Sequence, residues 1–148
     1  MSSSSLPYHI SLREFEFPTD YSDVINLWQN AGPGIHVRRS DEELEIAKKL
    51  QRDPDLFLVA EVDGQIIGSV MGGFDGRRGM VYHLAVASTY RKKGIGVLLM
   101  NELERRMKLK GCIRSYLLVA RDNLDAVRFY ENSGWELMEL LIFGKDLA

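Results

Sequence analysis

Cysteine is almost absent. Cys112 stands alone among 148 residues, so no internal disulfide forms and no thiolate cluster can hold zinc. Histidine is nearly as scarce, and His9, His36 and His83 show no metal-ligand spacing; no metal is expected. No apolar run is long enough to cross a membrane, and no secretory leader is recognisable, so no membrane partner and a cytoplasmic setting are expected. Excess charge is lacking too. The formal net charge of -2 removes wholesale attraction to nucleic acid, and no nucleic-acid partner is expected, although basic loops remain locally.

What is present suits one compact core. A chain of 148 residues that is 45% hydrophobic can bury a sizeable interior. The opening MSSSS has nothing apolar to bury, so residues 1–7 are expected to be a frayed tail and 8–148 a single domain. Helical and strand-like patterns alternate, which predicts an α/β fold with a mixed sheet covered by helices.

Tyr8 to Glu14 reads as a first strand. Thr19 or Asp20 caps a helix carrying Val24, Ile25, Leu27 and Trp28, and NAGPG at 30–34 breaks it. A second helix is expected near Ser40, with Ser40 and Glu43 at capping-box spacing and Leu44, Ala47 and Leu50 as its apolar stripe. Leu56 to Val62 and Gln65 to Gly73 form a hairpin across Asp63–Gly64. DGRRG at 75–79 turns the chain into a strand from Met80. Val97 to Met107 reads as a helix, Arg114 to Val119 as a strand, Asp122/Asn123 as the cap of a short helix, and Trp135 to Phe143 as a terminal strand.

Two segments carry chemistry. RKKGIG, Arg91 to Gly96, lies between a strand and a long amphipathic helix. Its glycines let an anion approach the backbone, the helix start supplies free N–H groups, and Arg91, Lys92 and Lys93 add positive charge. The bland alternative is a solvated, capping turn, with Arg91 anchoring the loop while Lys92 or Lys93 stays in water. The segment lacks the lysine–hydroxyl pair of GxxxxGK[ST] and the third glycine of GxGxxG, so magnesium-dependent nucleotide hydrolysis and dinucleotide binding lose their warrant. Pyrophosphate recognition survives. The second segment, NLDAVRFYENSGW at 123–135, places Ala126, Phe129, Tyr130 and Ser133 at helical spacing, with Gly134 to end the turn. Asn123 offers a hydrogen-bonding group at the helix start. Tyr130 adds a phenol to an apolar face, where ordinary packing is the alternative.

Together, LAV at 84–86, RKKGIG at 91–96 and NLDAVRFYENSGW at 123–135 resemble the GNAT superfamily of acyl-CoA-dependent N-acetyltransferases, in its small, stand-alone bacterial form. The resemblance spans Tyr8 through Phe143 and is most specific after Met80. It implies the GNAT fold: a central, mostly antiparallel twisted sheet flanked by helices, with a V-shaped splay between two parallel central strands, here Met80–Ala87 and Arg114–Ala120. It also implies acetyl-CoA as cosubstrate. Pantetheine would pair with the backbone near Leu84, Ala85 and Val86, and the pyrophosphate would sit within Arg91, Lys92, Lys93, Gly94, Ile95 and Gly96. Asn123, Phe129 and Tyr130 would border the thioester end.

The implied reaction is direct attack of a primary amine on the thioester, with Tyr130 as general acid towards sulfur and a backbone N–H polarising the carbonyl. Many relatives place a carboxylate on the strand that reads MVYHLAVA here. His83 is the candidate base in its stead, because imidazole exchanges protons near neutral pH. Simple alternation groups His83 with Val81 and Ala85, and packing is its competing role. Cys112 has no histidine–acid partners and reads as an ordinary thiol rather than a covalent acetyl acceptor.

The acceptor is expected to be the primary amine of a small molecule or of a peptide or protein N-terminus. His36, Arg38 and Arg39, with Arg77 and Arg78, favour one carrying a carboxylate or phosphate. The alternative function is a noncatalytic acyl-CoA-binding regulatory domain. The edge of Trp135–Phe143 is open to pairing with a second copy, as a homodimer.

Overall fold

The computed structural model describes residues 9–32 and 34–148; Tyr8 and Pro33 lie outside them. The described residues fall into two units, one running to Leu118 and the other from Val119 to Ala148.

The first unit is built on a five-stranded sheet in the order β1-β2-β3-β4-β5. Its strands are β1 (Ser11–Glu14), β2 (Phe57–Val62), β3 (Gln65–Phe74), β4 (Gly79–Val86) and β5 (Ser115–Leu117). The first three pairings are antiparallel and the last, β4 with β5, is parallel. Asp63 and Gly64 turn β2 into β3 with φ of 51° and 75°, the doubly positive pair that a two-residue hairpin requires. At the next turn, the Asp75 carboxylate accepts the backbone N–H groups of Arg77 and Arg78, both at 2.8 Å.

Helices α1 (Tyr21–Gln29) and α2 (Glu43–Arg52) cover one face, and α3 (Ile95–Leu109) covers the other. Under α1 and α2, Phe15, Val24, Leu27, Trp28, Ile46, Phe57, Val59, Met71 and Ala85 form a continuous core. The Trp28 indole N–H donates to Ser69 Oγ at 2.9 Å, with both residues buried. On the other face, small residues let α3 sit against the backbone. A Cβ on Gly72 would lie 2.8 Å from Leu103 Cδ1, and one on Gly79 would run into Met107.

Asp20 begins α1, and its carboxylate holds the Glu16 N–H at 2.7 Å and the Arg13 guanidinium at 2.6 and 3.0 Å. α2 departs from expectation. It starts at Glu43 without a side-chain cap; the capping side chain belongs to Asp41, in a short 3-10 turn at Arg39–Asp41, and it takes the Arg38 N–H at 3.0 Å. The apolar stripe is rotated as well. Ile46 is buried while Leu44 is 82% exposed, because the face through Ile46 and Leu50 is the one that meets the core.

β4 is not a regular strand. Ser69 pairs with Ala85 and Met71 with Tyr82, so His83 and Leu84 together stand opposite Val70. This is a bulge, and His83 occupies it with φ of 49°. The extra residue changes which side chains share a face. Val81, opposite Gly72, lies on the α3 side, whereas Ala85 lies in the core beneath α1. Alternation had put them together.

The second unit contains α4 (Leu124–Asn132). Asn123 caps it, its side-chain oxygen accepting the Ala126 N–H at 3.3 Å. At the other end Gly134, with φ of 91°, reverses the chain so that the Trp135 N–H reaches the Tyr130 carbonyl at 2.9 Å. Residues 135–143, expected as a terminal strand, form no strand within this unit.

Candidate active site

The parallel pairing of β4 with β5 is short. Gly79, Met80 and Val81 pair with Ser115, Tyr116 and Leu117, and there it stops. β4 continues to Val86, held by β3 on its inner side through Ala85 and Val86. Along Leu84–Val86 its outer edge has no strand partner within the first unit. A strand whose neighbour ends early leaves main-chain donors and acceptors in a row, able to pair with an extended amide-bearing ligand.

The chain then passes through a single 3-10 turn, Ser88–Tyr90, into the basic loop. Lys92 and Gly94 have φ of 60° and 84°, and Gly94 is the N-cap of α3 in the left-handed conformation that glycine adopts without strain. No side chain caps this helix, and the first bond into it runs from the Leu98 N–H to the Gly94 carbonyl at 3.1 Å. The N–H groups of the first turn therefore have no side-chain cap, and the helix dipole there favours an anion. Lys92, Lys93 and Gly94 are exposed. Ile95 is 1% exposed, so its side chain belongs to the core and only its backbone can serve a ligand.

Arg91 has a different job from the lysines. Its Nη2 donates to the Ala31 carbonyl at 2.6 Å and its Nε to the Val86 carbonyl at 3.1 Å. The guanidinium thus ties the loop to the end of β4 and to the segment after α1, the anchoring alternative that the sequence left open.

His83 is turned by the bulge towards α1, with its ring 4.5 Å from that of Trp28. Its Nε2 lies 3.1 and 3.0 Å from the two Asp41 carboxylate oxygens. Asp41 is 4% exposed and fixed on several sides. The Arg38 N–H binds its carboxylate, its own N–H donates to the Arg38 carbonyl at 2.9 Å, and the Tyr21 hydroxyl donates to its carbonyl at 2.8 Å. Sequence reasoning missed Asp41. Nothing in SDEE at 40–43 separates it from the acids beside it, and only the fold brings it to a histidine 42 positions away. Next to His83 on β4, Tyr82 is 42% exposed, and partial burial raises its phenol.

Asn123, Phe129 and Tyr130 belong to the second unit. The Tyr130 ring meets Phe129 and Trp135 edge-on, with centroids 5.1 and 6.1 Å away. Burial pushes its phenol up to about 12, so it carries its proton throughout the neutral range. Among the described residues no group of three or more His, Cys, Asp or Glu side chains is arranged to hold a metal, and no helix is long and apolar enough to cross a membrane. The Cys112 thiol, at 3.4 Å from the Arg114 carbonyl, has no histidine partner among the described residues.

A mixed sheet with a short parallel pair beside a glycine turn and an uncapped helix is the arrangement that the resemblance to the GNAT superfamily implies. Comparison with known proteins agrees. The Acetyltransferase (GNAT) family matches residues 21–135, and the chain belongs to that family. An acetyltransferase of Pectobacterium atrosepticum is 41% identical over 128 residues, which cover 86% of this chain and 89% of the relative. Among solved structures, the PaiA N-acetyltransferase of Thermoplasma acidophilum in complex with coenzyme A superposes with a TM-score of 0.78 at 22% identity, covering 89% of this chain and 92% of that one. The aminoglycoside acetyltransferase AAC(6')-Iy, bound to a bisubstrate analogue, gives 0.74 at 20% identity, covering 95% and 99%. At those identities the likeness is one of fold.

Proposed function

We propose that this protein transfers the acetyl group of acetyl-CoA directly to a primary amine of a small molecule or of a peptide N-terminus. The observation that carries the reading is the outer edge of Leu84–Val86, which has no strand partner within the first unit among the described residues, leading into the glycine turn and uncapped start of α3. The edge suits the amides of pantetheine. The backbone N–H groups of Gly94, Ile95 and Gly96, with Lys92 and Lys93, suit a pyrophosphate. The coenzyme A in the Thermoplasma acidophilum relative supports the same cosubstrate.

The reaction needs no covalent enzyme intermediate. The amine nitrogen attacks the thioester carbon and its proton passes to His83. A strand N–H stabilises the carbonyl oxygen while it carries negative charge. The carbon–sulfur bond then breaks, and Tyr130 protonates the departing thiolate. Proton exchange with solvent resets both residues. The exposed Arg38, Arg39, Arg77 and Arg78 favour an acceptor with an acidic group beside its amine.

The test is time-resolved release of coenzyme A from acetyl-CoA across a panel of amines and peptide N-termini, with mass detection of product. Amine-dependent release with a matching acetylated product is expected. Saturable acetyl-CoA binding without product from any amine would assign a regulatory acyl-CoA-binding domain instead.

A further inference from the structure

We infer that Asp41 is a positioning residue that fixes the tautomer of His83, leaving Nδ1 as the nitrogen that takes the proton from the acceptor amine. The inference rests on the reading of His83 as the base. A neutral imidazole has one N–H and one lone pair, and whichever nitrogen makes the stronger hydrogen bond decides their placement. Here Nε2 faces both oxygens of a buried carboxylate, an acceptor with no proton to give, so the proton stays on Nε2. Nδ1 then carries the lone pair, and no hydrogen bond engages it among the described residues.

Asp41 is built to hold that position. Its carboxylate is pinned by the Arg38 N–H and its carbonyl by the Tyr21 hydroxyl, so the imidazole is oriented from outside its own strand. Among the described residues, the groups shown facing His83 are the Asp41 carboxylate from the 3-10 turn and the Trp28 indole from α1. During transfer, the amine N–H bond breaks towards Nδ1 as its nitrogen forms the bond to carbon. Asp41 keeps no proton of its own and balances the charge of the imidazolium, the role of the carboxylate in hydrolase triads. In this chain the acid stands one step back, on the segment before α2.

The bulge supplies the remaining requirement. A histidine in regular β4 geometry would follow strict alternation. With φ of 49° the ring instead projects beneath α1, where Trp28 limits its rotation.

The deciding experiment is long-range proton–nitrogen correlation NMR on protein labelled with 15N-histidine, with His83 assigned by its loss in His83→Gln. At a pH where the ring is neutral, the wild-type spectrum is expected to show Nε2 protonated and Nδ1 bare. The opposite tautomer overturns the inference, and this arm needs no variant of Asp41 to fold. Asp41→Asn keeps an oxygen that can accept from both the Arg38 N–H and Nε2 but removes the charge that balances the imidazolium. Turnover of acetyl-CoA with the amine panel is expected to fall by about 100-fold, with acetyl-CoA affinity within about 2-fold of wild type. If His83→Gln is inactive while Asp41→Asn retains full turnover, Asp41 has no positioning role and His83 remains the base. If both variants retain full turnover, the base assignment fails and the inference with it.

Discussion

Arg91 separates two ways of building a phosphate loop. If its guanidinium touches the pyrophosphate, its charge matters; if it is the staple seen between the Ala31 and Val86 carbonyls, its shape matters. Arg91→Ala removes two hydrogen bonds from a charged donor to main-chain oxygens. At about 1 kcal/mol each for partly solvated bonds, about 2 kcal/mol of loop ordering is lost. If all of it falls on binding, the Kd for coenzyme A rises about 30-fold, since every 1.4 kcal/mol is tenfold. Arg91→Lys is the sharper variant. An ammonium keeps the charge but cannot span both carbonyls, so at least half of the loss, about 5-fold, should persist. Calorimetric titration of coenzyme A at two ionic strengths reads both effects. If Lys92 and Lys93 face the anion as proposed, the salt dependence of Arg91→Ala should match that of wild type. Wild-type affinity in Arg91→Lys, or a flattened salt dependence in Arg91→Ala, would refute the staple.

Tyr130→Phe should lower turnover more than it lowers acetyl-CoA affinity, and because the phenol is pushed up to about 12, wild-type activity should show no alkaline fall owed to Tyr130 below about pH 11; equal turnover in the variant would remove it as the acid. Ser69→Ala leaves the buried Trp28 N–H without an acceptor and should cost about 1–3 kcal/mol, visible as a lower urea midpoint with unchanged slope. Glu102 is held down to about 2 by hydrogen bonds from Arg105 and Arg106. Its folded value lies below the ordinary 4.5, so its contribution to stability is complete above about pH 4.5 and is lost as the pH falls towards 2. Glu102→Gln should therefore show a shallower loss of stability over that window in acid titrations followed by circular dichroism.

The features legible in the sequence are those whose cause lies within a few residues. Asp63–Gly64 predicts its hairpin because positive φ at both positions is a property of the turn itself. Asn123 and Gly134 mark the ends of α4 because a cap and a left-handed reversal act on the adjacent backbone. The loop at 91–96 is legible as a glycine turn into a helix, but its anchoring by Arg91 stands in the sequence only as one of two alternatives, because the partner Ala31 is 60 positions away. α2 shows the same limit in another form. Leu44, Ala47 and Leu50 make a plausible stripe, but so do Ile46 and Leu50, and only the core beneath chooses between them. Residues 135–143 have the composition of a strand, yet a strand is defined by its partner, which composition does not name.

Local reasoning fails most deeply at the residue proposed as the base. Alternation assumes an unbroken ladder, and under that assumption His83 shares a face with both Val81 and Ala85. The bulge opposite Val70 adds one residue, sends Val81 and Ala85 to opposite faces, and delivers the imidazole to a carboxylate on another segment. A positive φ at a non-glycine residue costs on the order of 1 kcal/mol or more and persists where the surroundings over-determine it. Here Trp28 and Asp41 supply those surroundings. On the proposed reading the base depends on the irregular strand: an acid on the segment before α2 can be met only by an imidazole turned beneath α1, and a regular β4 would not turn it there.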